Sequence, residues 1–234
     1  MFTKALVVVL CVFLAKEADA NPVSVQTEKY LRQHLFEDYD KLVRPVTSSR
    51  HVVPVSVQIT PLALRSVDFD SNILKLDTWL TVQWHDEYLH WDPTEFGGQE
   101  NLILPASEVW KPDIAVYTAT HDSASLPHVE TNVLIHSNGD VLWVPPFTIE
   151  NKCPTLNSHE IRQECDISML SWTYDITQLD LNIGNATSLE YFIDDEPRWH
   201  LNSITPLREN KLFSCCKEFY PTIHFKVVLT DKNV

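Results

Sequence analysis

The side chains best placed to do chemistry in this 234-residue chain stand side by side in "FSCCKEFYP", Phe213 to Pro221. Adjacent α-carbons across a trans peptide are about 3.8 Å apart, whereas ordinary disulfides prefer ~4.4–6.8 Å. A bond between Cys215 and Cys216 therefore closes a small, strained ring, which suits a special loop tip better than a general staple. Beside Phe213 and Tyr220, a rigid tip of this kind would cover a ligand. Spacing leaves two other arrangements open: separate bridges from this pair to Cys153 and Cys165, or a bridge between chains. The pair is not C-x-x-C, so a thioredoxin-like redox centre is not expected. No G-x-S-x-G, H-E-x-x-H or phosphate-binding glycine loop occurs. The ten histidines are scattered without metal-ligand spacing, and His85 and His90 read as surface residues. The expectation is a binding protein rather than an enzyme, with no catalytic residue, metal or cofactor.

These residues must be held by strands. Only the start reads as helix, with Thr27 as a cap and Tyr30, Leu31, Leu35 and Phe36 on one face. After Arg44 the period changes to two: Val53, Val55, Val57 and Ile59 alternate with smaller or polar residues. "LDTWLTVQW" (Leu76 to Trp84), "ISMLSWTYDI" (Ile167 to Ile176) and "TIHFKVVL" (Thr222 to Leu229) are rich in strand formers. "TNVLIHSNGDVLWVPP" (Thr131 to Pro146) reads as two strands joined at Asn138-Gly139, a strong hairpin signal. Fourteen prolines and four glycines suit many short strands with stiff connections. The fold class is all-β, an immunoglobulin-like sandwich behind an N-terminal α-helix.

The compartment follows from the first residues. One lysine, the apolar run "ALVVVLCVFLA" (Ala5 to Ala15) and Ala18-Asp19-Ala20 have the form of a signal peptide over residues 1–20, leaving one domain over 21–234. Cleavage would remove Cys11 and leave four cysteines, an even number in an exported chain. Proximity favours Cys153–Cys165 and Cys215–Cys216, the first closing a loop whose restriction is worth roughly 3 kcal/mol in the chain-entropy picture. Asn185-Ala186-Thr187 is a glycosylation sequon that fits export. No other apolar run approaches the ~18 residues of a membrane span. A secreted, extracellular product with no membrane partner is expected. The formal charge of −14 argues against a nucleic-acid partner and would help draw in a cation.

Several motifs in order carry a family resemblance. "TWLTVQWHDEYLHW" (Thr78 to Trp91), "WKPDIAVYTA" (Trp110 to Ala119), "SWTYD" (Ser171 to Asp175) after Cys165, and the vicinal-cysteine loop itself span nearly the whole chain. Together they resemble the extracellular ligand-binding domain of Cys-loop receptors, nicotinic acetylcholine receptors above all, and in form the soluble acetylcholine-binding proteins. The resemblance implies a site between subunits. Its principal face would be an aromatic cage of Tyr117, Trp172, Phe213 and Tyr220 under the Cys215–Cys216 tip. Its complementary face would be Trp79 with the apolar Leu134, Leu142 and Val144. One chain carries both faces, which implies a homo-oligomer, by family resemblance a ring of five. A cation without N–H groups, such as acetylcholine or a nicotine-like ligand, is held by ring faces at roughly 0.5–2 kcal/mol each. Trp172 should dominate, with Trp79 next. Asp113 is expected to brace the loop bearing Tyr117.

Three departures from the family pattern cluster. Phe213 stands where nicotinic sites have tyrosine, Ser168 where they have lysine, and Thr222 where they have aspartate. Those residues form a polar network linked to gating, so this chain is not expected to use it. The loop "PTLNSHEIRQE" between Cys153 and Cys165 is shorter than the receptors' loop and lacks their apolar core. This agrees with a soluble binder. The competing expectation is a receptor-derived domain that has lost cholinergic binding and takes another small molecule or a protein partner.

Overall fold

The computed structural model describes residues 25–120, 129, 131–185 and 187–234. The signal-peptide expectation falls outside them, as does Ala186 of the sequon. Two sheets face each other. The first runs in the order β3 (Asn101–Pro105), β5 (Asn132–His136), β6 (Asp140–Trp143), β2 (Ile73–His85), β1 (Val53–Asp68), β9 (Leu179–Ile183). The seventh strand of this sheet, β7 (Pro146–Lys152), pairs with the opening half of β2. The second runs β10 (Trp199–Leu212), β11 (Phe219–Asp231), β8 (Arg162–Ser171), β4 (Ile114–Val116). The fold is the all-β sandwich the sequence leads one to expect.

Alternation sets which residues face inward. Val53, Val55, Val57 and Ile59 of β1 and Leu74, Leu76, Leu80, Val82 and Trp84 of β2 are buried. So are Ile167 and Met169 of β8 and Ile223, Phe225, Val227 and Leu229 of β11. Because side chains alternate along a strand, the intervening residues form each sheet's outer face. β2 changes partner at Leu80, whose N–H donates to Pro145 O at 3.1 Å. Pro145 and Pro146 have no N–H to give a ladder, so the chain leaves β6 and re-enters as β7. The hairpin turns at Asn138-Gly139 as expected. Gly139 has φ +93°, and a Cβ there would lie 2.6 Å from Asp86 O, so only glycine fits.

Two local expectations need correction. The helix α1 spans Val25–Leu35, which places Thr27 inside it rather than at its cap. Of the proposed apolar face, Leu31 and Leu35 are buried, whereas Tyr30 is exposed and reaches Phe96 with its ring. β8 ends at Ser171, not Ile176. Asp113, on another loop, captures the following turn.

Glu87 fastens the segment between α1 and β1. Its carboxylate accepts from Thr47 N at 2.6 Å and lies 2.8 Å from His51 Nδ1. Burial alone would raise this carboxyl, but the Thr47 hydroxyl and amide and the His51 ring pull it down to about 2. A depressed folded value gives stability that is present above the unfolded carboxylate range and is lost as pH falls toward 2. Glu87→Gln is therefore expected to lower Tm at pH 7 and to leave Tm little changed at pH 2, checked by calorimetry at both pH values.

A candidate aromatic site split across two faces

The principal residues lie at one end of the second sheet. Asp113 precedes β4, and its Oδ1 accepts from Ser171 Oγ at 2.5 Å. Its Oδ2 accepts from Thr173 N at 2.8 Å and Thr173 Oγ1 at 2.5 Å. Trp172 N donates to Asp113 O at 3.1 Å. Trp172 is thus clamped between two residues tied to one carboxylate, and its side chain stands 65% exposed. Asp113 therefore braces the Trp172 turn, next to the Tyr117 loop for which that role was expected. Tyr117, 48% exposed, is fixed through its N–H donating to Ser168 O at 2.7 Å.

The β10–β11 hairpin supplies the rest. Lys211 pairs with Tyr220 and Leu212 with Phe219 across it. Cys216 N donates to Phe213 O at 3.1 Å to close the tip, where Cys215 and Cys216 are bonded to each other with α-carbons 3.8 Å apart. The Phe213 ring lies 6.1 Å from Tyr117 and 5.6 Å, edge-on, from Tyr220. These three rings form one cluster. Trp172 is in ring contact with none of them among the described residues; it stands directly after β8, anchored to Asp113.

The complementary residues lie elsewhere. Leu134 and Leu142 are paired across β5–β6, and Leu142 faces Gln83 of β2, four residues from Trp79 on the same outer face. Trp79 and Val144 are each 39% exposed. This group sits on the solvent face of the first sheet, whereas Tyr220 alternates outward from the buried Ile223 side of the second. One chain does not bring the two groups together. Clefts of about 900 Å³ beside α1 and about 370 Å³ against β1, β2 and β6 lie away from the ring cluster. Within the cluster Tyr117 is exposed, and Phe213 and Tyr220 are half-buried.

Three features escaped the sequence. First, the Tyr191 ring lies tilted against Trp79, with centroids 5.4 Å apart. A bulge between Pro61 and Ala63 frees Leu62 O to accept from Ile193 N at 2.7 Å, which brings this segment over β2. Second, Lys211 Nζ lies 4.7 Å from the Tyr117 centroid and 5.3 Å from that of Phe213. Third, the altered polar positions are rebuilt. Ser168 Oγ is 2.9 Å from His224 Nδ1, and His224 Nε2 is 2.9 Å from Glu209 Oε1, joining β8, β11 and β10. Thr222 is fully buried and donates to Tyr220 O at 3.2 Å. Ser, His and Glu in a row have the composition of a nucleophile relay, but Ser168 is only 4% exposed. The row reads as a strut across three strands. A signal for it existed in the alternation, which puts Ser168, His224 and Glu209 on one outer face.

Cys153 and Cys165 are bonded to each other and buried beside Asn151 Nδ2. The loop they close is polar and mostly exposed, pinned by buried Gln163, whose Nε2 donates to Asn157 O and Glu160 O at 2.7 Å each. Asn185 is exposed just past β9. Among the described residues no three His, Cys, Asp or Glu gather as a metal site, and no helix is long and apolar enough to cross a membrane.

Residues 28–232 match the neurotransmitter-gated ion-channel ligand binding domain. The chain is 32% identical over 206 residues to the neuronal acetylcholine receptor subunit alpha-9 of Gallus gallus, covering 87% of this chain and 42% of that one. It is 31% identical over 207 residues to the alpha-6 subunit of Homo sapiens, with 87% and 41% covered. Against the alpha-type subunit acr-16 of Caenorhabditis elegans it is 33% identical over 202 residues, with 85% and 40% covered. The chain thus spans about four tenths of the length of these relatives. With a two-sheet sandwich, a closed Cys153–Cys165 loop and a vicinal disulfide above a ring cluster, it belongs to the family of neurotransmitter-gated ion-channel ligand-binding domains.

Proposed function

We propose that this protein is a secreted binding protein for a small organic cation such as acetylcholine or a nicotine-like ligand. The ligand sits between the Tyr117, Trp172, Phe213 and Tyr220 face of one copy and the Trp79, Leu134, Leu142 and Val144 face of the next, in a ring of five. The observation that carries this reading is the exposure of Trp172 and of Tyr117, the latter in ring contact with Phe213 of the hairpin that carries the Cys215–Cys216 tip. Large aromatics gather their value from burial, and here they wait at a surface for something to cover them. The acidic balance, −14, favours arrival of a cation. The polar, exposed Cys153–Cys165 loop and the Ser168–His224–Glu209 strut, in place of the receptors' gating residues, support a sink or carrier rather than a channel.

Titration of the secreted protein with acetylcholine and with nicotine, followed by tryptophan fluorescence beside Trp172→Ala, tests this. Saturable quenching at micromolar ligand or tighter, about 8 kcal/mol of binding, that disappears in Trp172→Ala is expected. A flat response up to millimolar ligand would overturn it. The second reading, a domain that has left cholinergic ligands behind, is favoured by one observation: an ammonium of the protein's own already lies on two of the cage rings.

A further inference from the structure

We propose that Lys211 is a tethered occupant of the cation position, so that a ligand enters only by displacing it and the lysine sets both affinity and selectivity. This rests on the cation-binding reading above. Lys211 lies directly opposite Tyr220 in the β10–β11 ladder, which projects its side chain on the cage side of the hairpin. Its ammonium meets the faces of Tyr117 and Phe213 at 4.7 and 5.3 Å, within the range where a ring quadrupole attracts a cation. Glu209, two residues back on the same face, is engaged with His224 Nε2 at 2.9 Å. Among the described residues Lys211 forms no ion pair, so the rings are its partners.

The consequence is competition. Two cations cannot share the same ring faces, and like charges at such separations repel. A bound cation must send the Lys211 ammonium back to water on its flexible stem, losing two ring contacts for the protein as it gains its own. Phe213 fits this arrangement, because a ring without a hydroxyl offers the ammonium a face and no competing acceptor. Ligands with a second group that can accept from the displaced ammonium, a carboxylate or ester carbonyl, would be favoured over bare quaternary amines.

The test uses tetramethylammonium, which has a charge and no acceptor, with calorimetry on the full chain. Lys211→Met keeps the unbranched stem and removes the charge, and is expected to bind tetramethylammonium about tenfold tighter than wild type. Lys211→Arg, with the charge kept, is expected to bind tetramethylammonium no tighter than wild type. In protein carrying ¹³C-lysine, the Lys211 ε-methylene signal, identified by its loss in Lys211→Met, should sit upfield from ring currents and return to the solvent position at saturating tetramethylammonium. Equal or weaker binding by Lys211→Met, with an unmoved ε-methylene signal, overturns the competitor role and leaves the cation site standing. Binding by Lys211→Met alone supports both. Binding by neither protein overturns both, since a cage freed of its lysine that still takes no cation is not a cation site.

Discussion

Co-expressed Trp172→Ala and Trp79→Ala chains are expected to regain about a quarter of the wild-type ligand sites, although each variant alone binds at least about a hundredfold more weakly. The reason is the placement of the two tryptophans. Trp172 belongs to the turn after β8 in the second sheet, and Trp79 to the outer face of β2 in the first. A site built from both must take one from each of two copies. In a randomly mixed ring, half the interfaces have an intact principal face and half of those meet an intact complementary face. Both side chains are exposed, so neither substitution opens a core cavity. Equilibrium dialysis at a concentration that saturates the wild type counts the sites. Recovery near zero would end the interface reading.

The largest effect on stability is expected at Phe225. It is 1% exposed, in the middle of β11, opposite Pro206 of β10 and Ile167 of β8. Phe225→Ala removes a ring from a packed interior and leaves a cavity, at a cost of about 3–5 kcal/mol. β11 is the strand to which both neighbours carrying the proposed cage attach, so loosening it should also weaken the proposed ligand binding. The urea midpoint with disulfides intact is the measurement. Lys226→Ala, next along the strand on the outer face and, among the described residues, engaged only in an exposed pair with Glu164, should stay within about 1 kcal/mol of wild type. Equal midpoints for the two variants would show that the space between the sheets is not the dominant core.

What the sequence makes legible is what local physics enforces. The alternation of Val53 to Ile59 survives because one face of β1 is buried, and Asn138-Gly139 is readable because Gly139 alone tolerates its backbone and the nearby Asp86 carbonyl. The order of aromatic and cysteine motifs picks out the residues proposed as a cage, of which Tyr117 and Trp172 are exposed while Phe213 and Tyr220 are half-buried. The remainder depends on partners distant in the chain. Trp172 leaves its strand because Asp113 takes the turn. β10 has no clear periodicity in its second half, where it forms the edge of its sheet beside β11 and is largely exposed. β9 is five residues long and joins β1 in parallel, a pairing no local pattern announces. Lys211 and Tyr191 belong to no motif; only the registers that place them against rings give them meaning.

That parallel pairing sets a timetable. β1 is the first strand among the described residues, and its outer neighbour β9 follows only after β2 to β8 have been made. At synthesis rates of ~5–20 residues per second, the nascent chain therefore carries an unpaired β1 edge for on the order of ten seconds. Contacts so far apart in sequence also close slowly. During that interval the open row of N–H and C=O groups can template pairing with another nascent copy. The interval of synthesis, rather than the finished sandwich, is where this protein is most exposed to aggregation, and where a chaperone that shields strand edges would raise its yield.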